Sequence, residues 1–483
     1  MQLKTVPCFI CSSSSFDGKS EYALRLLFEG IGLKLRIVGS VGEADLVYSS
    51  DLLFTSNNKI WLRSANPNNW DQINPKVFWD QNIPWLGNEC YKGSLKGDIL
   101  FSTYALVTGC FETKDVKDQW GVPIARNSKF HDLGFLERPT ISTYCKLLKD
   151  LLDELYKSNL KTLPIWPNGK EYAIVLSHDV DAPLSYIDVD FRKKLIARNL
   201  HKKEYLEFFK SYLGLAKTIF KKAFGILPSM KNDPNFCFDK WMDFQERLLT
   251  KSAFYVAPIC SADKYADSRD VNYIYNRKEM IDMMKIIIER GWEIGLHPSI
   301  NSWKNKNYIH QEKYLLEDAL DGYLLAGVRH HYWSMDNEIP ERTISIHKEA
   351  GFKYDSSLGL NDSPGFRRSI AWPFNPYNKS TNAALDILEI PPTLMDGGIF
   401  YRDVSIEAGK KEILEHIDIT FKHRGAVVLD WHLEQMNFER LNGAGKALVE
   451  ALTEVSDDEN IFWASPKEIY EWWVERRNRL SPG

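Results

Sequence analysis

Five apolar residues, Tyr172-Ala173-Ile174-Val175-Leu176, run without a break into Ser177-His178-Asp179-Val180-Asp181. An uninterrupted run of that kind, bounded by polar residues, predicts a strand buried on both faces, as in a parallel sheet. Barrels and doubly wound sheets of parallel strands collect their reactive groups where strands end and loops begin. Two carboxylates one residue apart at such an end can divide the work, one binding a cation and the other taking a proton. The same layout recurs along the chain. Trp292–Leu296 is followed by His297, Ser299 and Asn301; Gly327-Val328 by Arg329, His330 and His331; and Ala426–Leu429 by Asp430-Trp431-His432. A lone histidine at a strand end means little, but four such coincidences predict one active site.

At 483 residues the chain is too long for one ordinary core, which predicts two domains. The segment Lys161–Lys170 holds two prolines and a glycine and marks the expected boundary, giving units 1–160 and 161–483. In the first unit, strands are expected at Val6–Cys11, Leu33–Val38, Asp45–Tyr48 and Ile60–Arg63. Helices are expected at Ser20–Gly30 and after Pro139, where Ile141, Tyr144, Leu148, Leu151, Leu152 and Leu155 recur at helical spacing. This small α/β unit has no glycine-rich phosphate loop and no metal-ligand cluster, so its role is left open. Beyond 253, strands at Phe254–Ile259, Trp292–Leu296, Val328–Trp333, Asp386–Ile390 and Ala426–Leu429 alternate with helices. Those helices are expected at Arg277–Arg290, Tyr314–Leu325, Thr343–Ala350, Lys410–Phe421, Ala444–Val455 and Lys467–Arg476. Serial strands with helices between them predict a (β/α) barrel or an open parallel sheet.

A net charge of −4 gives no reason to expect nucleic acid as a partner of the whole chain. No apolar run reaches the roughly 18 residues of a membrane span, and Met1–Ser12 reads as a first strand rather than a signal peptide. Seven scattered cysteines suit a reducing compartment, the cytoplasm. Cys8 and Cys11 form a CxxC inside an expected strand, which predicts small buried residues rather than a redox or metal pair. Residues 191–224 carry ten Lys or Arg against two Glu, interleaved with large apolar residues. This is the pattern of a basic amphipathic helical insertion. It reads either as a solvated cover or as peripheral contact with an anionic membrane or a lipid-linked, phosphate-bearing substrate.

In their order and rough spacing, His178-Asp179-Val180-Asp181, Glu293-Ile294-Gly295-Leu296-His297-Pro298-Ser299, Gly327-Val328-Arg329, Glu389-Ile390-Pro391-Pro392-Thr393 and Val428-Leu429-Asp430-Trp431-His432 resemble the polysaccharide deacetylases. These are the NodB-homology group, carbohydrate esterase family 4, and the likeness runs from about residue 165 to the end. The closest subgroup opens with His-Asp-Val-Asp, contains Tyr354-Asp355-Ser356-Ser357, and often carries an N-terminal α/β domain. The resemblance implies a distorted (β/α)7-type barrel preceded by a small α/β domain. It also implies one divalent metal, zinc in most of the family. It assigns Asp179 as general base, Asp181 and His297 as metal ligands, Arg329 as the group orienting the base, and His432 as general acid. The family places a second histidine four residues after the first, where this chain has Asn301. The expected ligand set is therefore Asp181, His297 and Asn301, with water, His331 or His178 as alternatives for the third place and a metal-free site as the remaining one. The implied function is removal of an acyl group, acetyl first, from an N-acylated sugar of a bacterial surface glycan or its soluble or lipid-linked precursor. The alternatives are a carbohydrate-binding protein with a degenerate site, or a hydrolase of another linear amide. Oligomeric state is not legible.

Overall fold

The computed structural model describes residues 3–11, 17–50, 58–65, 70–72, 74–90, 93–112, 115–184, 229–261, 263, 265–271, 273–401, 404–438 and 443–481, together with 212, 213, 216 and 220. The basic insertion at 191–224 thus lies almost wholly outside the described residues.

The first sheet has four parallel strands, β1 (Thr5–Ile10), β2 (Lys34–Ile37), β3 (Leu46–Ser49) and β4 (Ile60–Arg63), in the order β2-β1-β3-β4. Val6, Cys8, Leu35, Leu46, Tyr48, Ile60 and Leu62 turn one face of it into the core, beneath helices Asp17–Ile31, Ile99–Val107 and Thr140–Tyr156. Two features here carry no sequence expectation: the antiparallel hairpin of β5 (Val77–Asp80) and β6 (Ile83–Leu86), and the fully buried helix Ile99–Val107. Cys8 is buried and Cys11 exposed, and all seven cysteines are free thiols.

The second sheet is built around β7 (Tyr172–Val180), all nine of whose residues are buried. It continues through β8 (Ala253–Val256), β9 (Glu293–Leu296), β10 (Gly327–Val328) and β11 (Tyr354–Asp355). A small hairpin, β12 (Tyr377–Asn378) and β13 (Ala383–Ala384), precedes β14 (Leu388–Glu389), β15 (Leu394–Met395), β16 (Ala426–Asp430) and β17 (Ile461–Ala464). The strand order is β14-β11-β10-β9-β8-β7-β16-β15, every pairing parallel. On its other edge from β16, β7 carries β17 along Tyr172–Val175 and β8 along Ser177–Val180.

Curvature follows from chain length. Only residues 390–393 separate β14 at one edge from β15 at the other. Such a link spans roughly 17 Å when extended, whereas the edges of a flat eight-stranded sheet stand about 34 Å apart. The sheet therefore curls into a barrel with helices outside it, as the motif order implies. The helix Lys278–Glu289 shows why these segments pack: Met280, Met283, Met284 and Ile287 form one buried stripe at helical spacing.

The expected helix Tyr314–Leu325 is displaced, running instead from Lys306 to Ala319. The Asn305 side chain caps its start by accepting from Asn307 N, and Asp321 and Gly322, both at positive φ, turn the chain after its end. The expected strand Val328–Trp333 stops at Val328, because His331–Trp333 fold into a tight turn.

We propose 1–160 and 161–483 as two units of organisation. One continuous apolar cluster joins them. Polar ties accompany it: Glu112 is gripped by the buried Arg367 (3.0 Å) and Arg368 (3.3 Å), and Arg476 Nη1 donates to Glu29 O (2.8 Å).

At the start of β9, burial pushes the Glu293 carboxyl up to about 7, with Tyr354 Oη donating to it (2.7 Å) and Lys467 opposing. The native chain then holds this proton more tightly than the unfolded chain. Its contribution to stability is present at low pH and is lost as pH rises from about 4.5 through about 7. Urea unfolding across that window should show a shallower decline in Glu293→Gln than in the parent.

Candidate active site

Side chains alternate along a strand, and this alternation sorts the polar cluster at the end of β7. Ser177 and Asp179 face the barrel interior. His178 faces the helix layer, where its Nδ1 lies 2.8 Å from Trp431 O, its Nε2 2.7 Å from Gln245 Nε2, and its ring against Trp241 and Phe254. Burial lowers its pKa to about 3. His178 is a neutral structural histidine. The same rule applied after β10 sends Arg329 and His331 inward and His330 outward, toward Ser302 Oγ (3.2 Å) and the His347 ring.

Inside the barrel Arg329 is fully buried. Its Nη1 contacts Asp179 Oδ1 (3.1 Å) and Asp430 Oδ1 (2.9 Å). Its Nη2 donates to Ser177 Oγ (2.7 Å) and Ser356 Oγ (2.9 Å), and its Nε to Ser356 O (3.1 Å). Burial works against the guanidinium charge, but Asp430 and Asp179 outweigh it and hold Arg329 charged. Asp179 is thereby aimed: Oδ1 is held by Arg329, while Oδ2 lies 3.7 Å from His297 Nε2.

Three imidazoles point their Nε2 atoms at Asp181. His297 Nε2 is 3.2 Å from Oδ1, while His331 Nε2 and His432 Nε2 are 3.3 and 3.4 Å from Oδ2. Behind each ring an acceptor holds Nδ1: Arg329 O for His297 (2.7 Å), Asp270 Oδ1 for His331 (3.1 Å) and Asp396 Oδ1 for His432 (2.9 Å). A carbonyl can only accept, so His297 carries its proton on Nδ1 and, when neutral, offers a bare lone pair at Nε2. That lone pair faces carboxylate oxygens. His297 Nε2 and Asp181 Oδ1 are buried and without hydrogen-bond geometry. Burial disfavours a charged His331, yet Asp181 and Asp270 carry its pKa up to about 10. Burial likewise opposes the Asp181 charge, but His331 and the other two histidines hold it well below the carboxylate range. The cluster calls for positive charge at its centre.

Asp181, His297 and His331 form the one group among the described residues with a metal-ligand arrangement of His, Cys, Asp or Glu atoms. Each of the three offers one ligand atom, and these atoms all lie within 4.8 Å of one another, within reach of a single small cation. The residues present fit a divalent cation. Asn301 does not belong to the group: its Nδ2 donates to Tyr265 O (3.3 Å) and its Oδ1 accepts from Lys304 Nζ (2.7 Å). We propose His331, rather than the expected Asn301, for the third place beside Asp181 and His297.

A cavity of about 150 Å³ opens beside this cluster, lined in part by Asp181, Leu184, Arg269, Tyr273, His331 and Tyr332. At its wall Tyr332 and Trp333 both sit at positive φ, 53° and 51°. Such backbone costs on the order of 1–3 kcal/mol per residue and persists only where its surroundings impose it.

Asp396, Asp270 and Asp430 carry no expected role from the sequence. Asp430 lies within one of the strand-end motifs, and Asp396 directly follows β15, so the strand-end rule reaches both. Asp270 sits in a loop whose path nothing local predicts.

No family model and no curated protein matches the chain. Among solved structures it is similar to a protein described as a polysaccharide deacetylase from Mycobacterium smegmatis, at 16% identity over 65% of this chain and 93% of that one, TM-score 0.42. Puue allantoinase follows at 12% identity, 65% and 94% coverage, TM-score 0.40. A protein described as a polysaccharide deacetylase from Pseudomonas aeruginosa has 11% identity, 66% and 95% coverage, and TM-score 0.40.

Calorimetric titration of the full chain with zinc should give one ion per molecule. His331→Ala should abolish tight binding and Asn301→Ala should leave it unchanged; the reverse result would restore Asn301 as ligand.

Proposed function

We propose that the chain is a metal-dependent hydrolase that removes a short acyl group, acetyl in the first instance, from an N-acylated amino sugar of a bacterial surface glycan or its precursor. The observation that carries this reading is the junction of two arrangements at one point: three Nε2 atoms gathered on Asp181, and Asp179 held beside them by Arg329. Asp181, His297 and His331 would hold one divalent cation. Such an ion supplies Lewis acidity, bringing the pKa of a water toward 7 and polarising a carbonyl oxygen.

The chain's own residues supply the rest. Asp179, fixed through Oδ1, takes the proton of the attacking water at Oδ2. The water oxygen bonds to the acyl carbon and the carbon–nitrogen bond breaks. His432, protonated and held by Asp396, gives its proton to the departing nitrogen, leaving a carboxylic acid and a free amine. Burial disfavours charge on His432, but Asp396 and Asp181 raise its pKa well above the ordinary histidine value, which suits an acid. Its side chain is 20% exposed, against 0% for His297 and 4% for His331. Of the three imidazoles it is the one a substrate can reach. The cavity is smaller than the roughly 300 Å³ and upward typical of sites that swallow a whole small molecule, which favours a short acyl group. The glycan as substrate rests on the resemblance of the sequence motifs.

Incubation with N-acetylglucosamine oligomers should release acetate, with the release lost to a chelator and restored by a divalent ion. Asp179→Asn and His432→Ala should each lower kcat by about 10²–10⁴, and Asp396→Asn by less. Glycan binding without acetate release by a metal-loaded protein would mean a binding protein, and release from linear amides alone would mean another amidohydrolase.

A further inference from the structure

Trp120 of the N-terminal unit reaches the wall of the candidate site at Tyr332. The tight turn around Val116–Ile124 is closed by Asp118 N donating to Val122 O (2.9 Å) and Ile124 N to Val116 O (2.8 Å). Asp118 Oδ1 accepts from Trp120 N (2.8 Å) and Val122 N (3.0 Å). At Gly121, with φ of +85°, an added Cβ would lie 1.7 Å from Asn337 Oδ1. The left-handed φ favours glycine there, and the turn lies against the Asn337 side chain of the barrel.

Trp120, at the tip of this turn, stacks on Tyr332, with centroids 3.8 Å apart and planes 6° from parallel. On the other side of Tyr332 lies the His331 ring at 4.3 Å. Arg269 has its guanidinium carbon 4.0 Å from the Trp120 centroid, and with Tyr332 filling one face it must occupy the other. Both faces of Trp120 are therefore covered. The stack closes on itself. Arg269 is held by Asp267, through Nε (2.6 Å) and Nη2 (2.9 Å), and the next residue, Asp270, grips His331 Nδ1. A second tie runs from Asp118 Oδ2 to Asn361 Nδ2 (2.8 Å), which also donates to Tyr332 O (3.2 Å).

We infer that Trp120 is a positioning residue: through Tyr332 it imposes the left-handed turn at Tyr332-Trp333 and holds His331 where its Nε2 meets Asp181. This rests on the reading of Asp181, His297 and His331 as metal ligands. It assigns the N-terminal unit a part in the site, with a barrel whose third ligand is fixed from outside. Residues that orient a metal ligand from behind typically affect metal affinity about 10–100-fold.

The test is a cobalt(II) titration of the full-length apo-protein, read by the visible absorption of the bound ion, with circular dichroism to check folding. Trp120→Ala should weaken binding about 10–100-fold and alter the cobalt spectrum, while Trp120→Phe, which keeps a stacking ring, should restore both. Asn361→Leu leaves Trp120 in place but cuts the second tie, and should shift affinity in the same direction by less. Wild-type affinity and spectrum in both Trp120→Ala and Asn361→Leu would overturn the inference. Should Trp120→Ala not fold, Asn361→Leu alone decides in the same way. Absence of cobalt binding by the parent protein would instead end the metal reading itself, and the inference with it.

Discussion

A fully buried guanidinium at the centre of the barrel sets the terms for everything around it. Arg329 holds Ser177 and Asp179 on β7, Ser356 just past β11 and Asp430 on β16, and its charge rests on the Tyr255 ring of β8 at 4.4 Å. A buried cation of this kind is tolerable only when its donors are satisfied and its charge is matched; removing one partner of such a pair costs about 3–5 kcal/mol. The strand ends that present Asp179, Asp430 and Ser356 are thereby held in register with one another. The precision of the site and the integrity of the barrel have one origin.

Around this anchor, a single wiring pattern is used three times. Each imidazole is held at Nδ1 and presents Nε2, and the identity of the acceptor behind it sets what the ring can do. A neutral carbonyl behind His297 leaves an ordinary ligand nitrogen. Carboxylates behind His331 and His432 make those rings more basic, which in the proposed mechanism strengthens one as a ligand and the other as a proton carrier. Exposure then separates the last two, since the His432 side chain is 20% exposed and that of His331 4%.

Much of this is legible in the order of the residues alone. β7 and β16 announce themselves because strands buried on both faces open with an unbroken apolar run, and β9, despite Glu293 at its start, likewise ends just before a polar cluster. The two-residue strands β10, β11, β14 and β15 are too short to show a period and are traceable only through the motifs they carry. Asn301 enters as third ligand only through the family resemblance, as the residue standing where the family has a second histidine. His331 arrives from the neighbouring strand, where Val328 pairs with Leu296, and sequence distance cannot express such a neighbour relation. Alternation after β10 does distinguish the inward His331 from the outward His330, once Arg329 is known to face inward. Asp270 and Trp120 lie on loops whose positions depend on tertiary packing alone, and nothing local marks either.

The pairing of β7 also bears on how the molecule comes to exist. Ala173 pairs with Ala426 and Tyr172 with Ile461, so the central strand waits for neighbours encoded far downstream. While the ribosome is still translating the middle of the chain, β7 has a bare edge, and Arg329 lacks Asp430. Open strand edges invite pairing with other chains, and contacts this distant in sequence form slowly. Nascent chains therefore pass through a stage that is aggregation-prone and without a working site, and the barrel matures only after synthesis has reached its last strand.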